Sequence, residues 1–146
     1  MNIRRICEKD LERLTHLERE CFSVPWSAES LRMLLQDNFI AFCAEDDDGM
    51  VQAYAGMMYV LDEGQIVNVA TAKAARRRGL AEQLLRRLLE QARQQGITFL
   101  SLEVRQGNLP AQELYRKLGF SFAGVRPNYY VKPRENALIM IRSLLD

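Results

Sequence analysis

Two stretches of the chain carry residues whose types and spacing could do chemistry. In the first, Val67-Asn68-Val69-Ala70-Thr71 reads as a strand that passes through a short loop into Arg76-Arg77-Arg78-Gly79-Leu80-Ala81, the opening of a helix. A strand that feeds a glycine-containing turn at a helix N-terminus suits phosphate. The first-turn N–H groups converge there, and the helix dipole favours an anion. Gly79 removes a side chain where backbone would meet the ligand, and Arg76, Arg77 and Arg78 add positive charge. A plain basic helix start with solvated arginines fits the same residues. No Gly-Lys-Ser/Thr follows, which disfavours triphosphate hydrolysis, and the three-glycine spacing of a dinucleotide site is absent.

The second stretch is Leu100-Ser101-Leu102-Glu103-Val104-Arg105, followed by Asn108 and by Tyr115-Arg116-Lys117-Leu118-Gly119-Phe120. Strand alternation puts Leu100, Leu102 and Val104 on one face and Phe99, Ser101 and Glu103 on the other. A carboxylate in so apolar a strand is either paired with an arginine or tuned by partial desolvation toward a useful base. Tyr115, in the helix that follows, carries a phenol that can donate near the same point. Taken singly, Glu103 also reads as a strand-end ion pair, Tyr115 as a core aromatic and Asn108 as a helix cap.

Other chemistries find little support. His16 is the only histidine and falls on a predicted helix, so neither a zinc site nor a Ser-His-Asp triad is expected, and no metal is. Cys7, Cys21 and Cys43 form no close pair and read as reduced, partly buried thiols. Asp46-Asp47-Asp48-Gly49 lacks the remaining ligands of a calcium loop and reads as a solvated turn.

These residues need a scaffold, and the 146-residue chain has the size of one domain, 1–146, with 48% hydrophobic residues for a core. A net charge of +1 argues against a surface built wholly for nucleic acid. No apolar stretch reaches the length of a membrane span and no signal core follows the charged start, so a cytoplasmic protein is expected, with no membrane partner. Strands are expected at residues 1–6, 39–44, 51–60, 65–71, 97–104, 120–125 and 137–141. Asp10 is placed to cap a helix with Leu11, Leu14, Leu17 and Cys21 at helical spacing, and Ser27 a second one with Leu31, Leu34 and Leu35. A long helix opens at Gly79 and ends at Gly96, and Asn108 caps a shorter one stopped by Gly119. Helices between strands in the centre and hairpins at the ends predict an α/β or α+β sandwich around one sheet.

Taken together, the segments resemble the GCN5-related N-acetyltransferase (GNAT) family over nearly the whole chain. Arg76-Arg77-Arg78-Gly79-Leu80-Ala81 matches the family's acetyl-CoA signature, Gln/Arg-x-x-Gly-x-Gly/Ala. The strand before it, the long helix after it, Leu102 to Arg105, Asn108, Ala111 and Leu114 to Phe120 follow at family spacing. Phe22 with Pro25-Trp26-Ser27, Val60-Leu61-Asp62-Glu63 and Arg126-Pro127-Asn128-Tyr129-Tyr130 look most like the bacterial ribosomal-protein-alanine N-acetyltransferase (RimI-type) subfamily.

The resemblance implies a mixed, mostly antiparallel sheet with splayed central strands, and acetyl-CoA as co-substrate. It places the pyrophosphate on the turn formed by Arg76, Arg77, Arg78, Gly79, Leu80, Ala81 and Glu82. It assigns the acetyl and pantetheine portions to the backbone of Val69, Ala70 and Thr71, and a cofactor contact to Asn108. Glu103 is implied as general base and Tyr115 as the acid that protonates the leaving thiolate. The acceptor would be a protein N-terminus, the N-terminal alanine of a small-subunit ribosomal protein. Trp26, Asp62, Glu63, Asn128 and Tyr129 are candidates to line its groove. Ala72-Lys73-Ala74-Ala75 lacks the proline and aromatic residue often found before the signature, and Pro127 stands where many relatives carry a second basic residue. Two rivals remain: acetylation of lysine or a small amine, and an acetyl-CoA-binding module without turnover. A nucleic-acid binder using Arg76 to Arg78 with Arg86-Arg87 is disfavoured, and no direct nucleic-acid binding is expected.

Overall fold

Aromatic, branched and small apolar residues dominate Phe39–Glu45, and six of its seven positions are buried, as expected of a strand covered on both faces. The computed structural model describes residues 1–145. Along the chain run β1 (Asn2–Arg5), α1 (Leu11–Cys21), α2 (Ala28–Arg32), β2 (Phe39–Glu45), β3 (Val51–Val60) and β4 (Glu63–Thr71). Then follow α3 (Leu80–Gln94), β5 (Phe99–Arg105), α4 (Leu109–Lys117), β6 (Ser121–Val131) and β7 (Arg134–Ser143). The strands form one seven-stranded sheet in the order β1-β2-β3-β4-β5-β7-β6. Every neighbouring pair is antiparallel except β4 and β5. That exception follows from the connection, because only a long crossover, here through α3, can bring two strands side by side in parallel.

α3 is amphipathic by spacing. Leu80, Leu84, Leu85, Leu88, Leu89 and Ala92 are buried against β2, β3 and β4, each leucine contributing roughly 1.5–3 kcal/mol of burial. Gly96 ends it at φ +81°, and the Ile97 N–H returns to the Ala92 carbonyl at 3.0 Å. Ser27 caps α2 as its type predicts, its hydroxyl accepting from Ser30 N–H at 3.2 Å. Asp46 closes the β2–β3 hairpin by accepting from the N–H groups of Asp48 and Met50.

Two expectations change. Asp10 does not cap α1 with its side chain; it ends a 3-10 turn, and its carboxylate accepts from Cys7 N–H and, in fork geometry at 2.9 Å, from Arg4. A buried carboxylate beside a guanidinium is better satisfied there, and the Arg4 hydrogen bond holds Asp10 below the usual carboxylate range. β6 runs to Val131 rather than ending at Val125. It is the edge strand, and Pro127 falls within the register shift between Arg126 and Tyr130, where residues 127–129 have no ladder partner.

Candidate active site

β4 and β5 are paired over only three positions, Glu63 with Phe99, Gly64 with Leu100 and Gln65 with Ser101. Beyond Gln65 each strand keeps its outer neighbour, β3 or β7, and a wedge opens between them. The cause lies in β4. Gly56 pairs with Asn68 and Met57 with Ile66, so Val67 is one residue too many and bulges from the β3–β4 ladder. A bulge bends its strand and increases its twist, which carries residues 68–71 away from β5. Backbone groups of Val69, Ala70 and Thr71 that face the wedge therefore lack a ladder partner, the usual condition for receiving a ligand. The Thr71 carbonyl is partly engaged, by Arg76 Nε at 3.2 Å and by the Cys21 thiol at 3.3 Å.

The chain leaves β4 through a 3-10 turn, Lys73–Ala75, and Ala72 and Ala75 pack into the core. Small residues are what that buried turn admits. Arg77 at φ +66° and Gly79 at φ +74° then reverse the backbone twice before α3 begins. Left-handed residues interleaved with ordinary ones turn successive N–H groups to one side. The first intrahelical bond is from Gln83 N–H to the Gly79 carbonyl, leaving the N–H groups of Leu80, Ala81 and Glu82 free at the helix end. The Glu82 side chain is tied down by Lys117 and Arg86, which hold its carboxyl below the usual range.

A Cβ at Gly79 would meet no atom within 4 Å, so a substitution there acts through the left-handed backbone alone. That strain costs about 1–2 kcal/mol for a residue with a Cβ. Gly79→Val is expected to raise the KM for acetyl-CoA roughly five- to thirtyfold at little expense to kcat. Steady-state kinetics at varied acetyl-CoA checks this, and an unmoved KM would remove the turn from the cofactor site.

On β5, Glu103 points where alternation predicts, away from the buried Leu100, Leu102 and Val104. Gln65 Nε2 donates to its Oε1 at 2.8 Å. Arg126 Nε lies 2.9 Å from its Oε2, an ion contact not aligned as a hydrogen bond. Two β6 phenols border the carboxylate. Burial foremost, with Glu103 adding, raises the Tyr129 phenol and pushes Tyr130 up to about 12. Arg105 stacks over the Tyr130 ring at 4.3 Å and pairs with Glu135. Tyr115 is buried edge-on to Phe120, with its phenol pushed up to about 12 by burial and by Tyr130. Tyr130 thus feels the charge of Glu103 and itself raises Tyr115, and both phenols keep their protons at neutral pH.

Other sequence candidates fall into three groups. Asn108 caps α4, its Oδ1 accepting from Ala111 N–H at 3.3 Å. Trp26 packs partly buried on the core with its N–H held by Glu18, and Asn128 (φ +54°) and Tyr129 lie on the β6 bulge beside Glu103. Asp62 and Glu63 lie apart from these, at the closed end of the β4–β5 pair, where the Asp62 carboxylate accepts from Thr98 Oγ1. Gln65 is a contact that the sequence does not single out, and Arg126 and Tyr130 stand in it only within the motif 126–130, without a role. Alternation along β4 is the available signal for Gln65.

A profile of the acetyltransferase (GNAT) family matches residues 11–120. The chain belongs to this family. Among its relatives, the ribosomal protein bS18-alanine N-acetyltransferase of Haemophilus ducreyi is 38% identical over 141 residues, 94% of this chain and 97% of that protein. The Escherichia coli (strain K12) enzyme of the same name is 35% identical over 133 residues, 90% and 89% of the two chains. The crystal structure of the ribosomal-protein-S18-alanine N-acetyltransferase from Escherichia coli superposes with a TM-score of 0.91 at 32% identity, covering 98% of this chain and 93% of that one.

As a GNAT acetyltransferase the chain is an acyltransferase, and acetyl-CoA is its acyl donor. The local geometry fits that co-substrate: free N–H groups and arginines at the start of α3 for phosphates, and an unpaired strand edge leading from them toward Glu103. Among the described residues, no cluster of His, Cys, Asp and Glu is placed to hold a metal ion, and no helix is long and apolar enough to cross a membrane.

Proposed function

We propose that this GNAT enzyme acetylates protein N-terminal amines, and that its substrate is the N-terminal alanine of a small-subunit ribosomal protein. Glu103 is the general base and Tyr115 the general acid. The backbone of Val69, Ala70 and Thr71 and the turn from Arg76 to Glu82 receive acetyl-CoA, with Asn108 at its edge. Trp26, Asn128 and Tyr129 line the peptide side; Asp62 and Glu63 contribute from the closed end of the wedge.

The observation that carries this function is the placement of Glu103 beside the wedge, shielded to 12% side-chain exposure and bonded across it by Gln65. Relatives at 35–38% identity that match along almost their whole length supply the acceptor class. Acetyl-CoA brings an already activated thioester, so the protein needs only to orient an amine, take a proton and stabilise developing charge. An α-amine has a pKa of roughly 7.7–8.0 against about 10.4 for lysine, so a carboxylate base suffices for the former near neutral pH. Glu103 accepts one proton from the incoming ammonium, directly or through water. The nitrogen lone pair then forms the new C–N bond as the C–S bond breaks, and Tyr115 donates a proton to the departing sulfur. Of the two protons the ammonium loses overall, one ends on the coenzyme A thiol and one in solvent.

Mass spectrometry of ribosomal proteins from cells with and without this chain tests the acceptor. The expected result is loss of one acetyl mark from a single alanine N-terminus. A mark lost from lysine side chains would move the assignment to lysine acetylation. Acetyl-CoA binding without thiol release, across a panel of N-terminal peptides, would make the chain a binding module.

A further inference from the structure

Glu103 carries a cation of its own. β6 and β7 lose register between Arg126 and Tyr130, and Asn128 takes φ +54° there, so the bulged segment brings Arg126 and Tyr129 to β5. Arg126 is 57% exposed while Glu103 is 12% exposed, so the pair is screened by water from one side only. Because the Arg126 contact is not an aligned hydrogen bond, it supplies charge to a buried Oε2 that accepts no hydrogen bond among the described residues.

We propose that Arg126 is an electrostatic counterweight to Glu103 that keeps the bound acceptor amine unprotonated. This rests on the function proposed above, in which Glu103 faces the amine. A lone carboxylate facing an ammonium forms an ion pair, and that pair holds the proton on nitrogen, where it blocks attack. A guanidinium on the same carboxylate cancels the attraction, and a like charge within a few ångströms favours the neutral amine, by about one pH unit. The other groups around the pair do not supply this charge. Tyr129 and Tyr130 of β6 and Tyr115 of α4 are neutral phenols at pH 7. Arg105 of β5 is committed to Glu135 and the Tyr130 ring, β4 contributes the uncharged Gln65, and β7 places Ile139 opposite Glu103.

The test compares wild type, Arg126→Gln and Arg126→Lys on an alanine-initiated peptide from pH 6 to 10, with acetyl-CoA saturating. For Arg126→Gln the half-maximal point of kcat is expected to rise by about one pH unit. Its rate at pH 7 then falls about five- to tenfold and recovers by pH 10, with a peptide KM no higher than wild type. Arg126→Lys keeps the wild-type profile. A uniform rise in kcat/KM at every pH would make Arg126 an obstacle to the amine, and a uniform fall would make it a structural prop; either overturns the proposal. Glu103→Gln in the same series separates the layers. If it leaves the profile unaltered, Glu103 does not face the amine; if it abolishes neutral-pH activity while Arg126→Gln moves nothing, only the role of Arg126 is lost.

Discussion

Glu103→Gln is expected to lower kcat at pH 7 by about a hundredfold or more, the usual contribution of a positioned general base. The KM for acetyl-CoA should stay within about twofold, since the turn and strand edge proposed to hold the cofactor do not include the β5 carboxylate. Glutamine keeps the shape of the side chain and an oxygen for Gln65 Nε2, so the fold should tolerate it. The lost rate should return in part at high pH, where solvent deprotonates the amine without help. Steady-state kinetics at pH 7 and 9.5 with an alanine-initiated peptide measure both effects. Full activity at pH 7 would remove Glu103 from the mechanism.

Glu18→Ala has the largest expected effect on stability. Glu18 is buried to 1% exposure on α1, yet its carboxylate makes no ion pair among the described residues. It is held instead by donors: Trp26 N–H at 2.9 Å, Asn68 Nδ2 at 3.1 Å and the fully buried Tyr54 hydroxyl. Burial, reinforced by this carboxylate, drives the Tyr54 phenol far above its ordinary value. Removing the carboxylate strands these donors in the core, at about 1–3 kcal/mol each, and leaves a cavity. A net loss of about 3–5 kcal/mol is expected, a large share of the roughly 5–15 kcal/mol by which domains are stable. Urea denaturation measures it. Tyr54→Phe, which leaves the carboxylate two of its donors, should cost about 1–2 kcal/mol. A loss under about 1 kcal/mol for Glu18→Ala would show that the donors find other partners. The same carboxylate links the α1–α2 loop at Trp26 to Asn68, the residue after the β4 bulge, so it stiffens the segment that sets the wedge.

The parts of the molecule legible in the sequence are those governed by neighbours in the chain. α3 shows itself by leucines at helical spacing between Gly79 and Gly96, and β5 by alternation that puts Glu103 opposite a buried face. The order of strand, basic turn, helix, acidic strand and tyrosine helix was enough for the GNAT family, and the matched residues 11–120 agree with it. Asp10 shows the boundary of such reasoning. Its type suits a helix cap, yet a guanidinium brought by β1 competes for its oxygens and wins, because a charged fork binds a carboxylate more strongly than a single N–H. β6 shows it again: the strand expected over 120–125 runs on to Val131, because an edge strand can bulge past Pro127 and resume pairing at Tyr130.

Residue type and order alone thus pointed to the family and its acyl donor, and offered as candidates a basic helix start, a carboxylate in an apolar strand and a phenol in the next helix. Such features depend on backbone geometry within a few residues, which local spacing reports. The neighbours of the carboxylate are another matter. That β4 and β5 part after three pairs and that Arg126 reaches Glu103 both follow from two bulges and the strand order β4-β5-β7-β6. Those contacts join residues far apart in the chain, and their energy comes from a sheet that exists only once the whole core has packed.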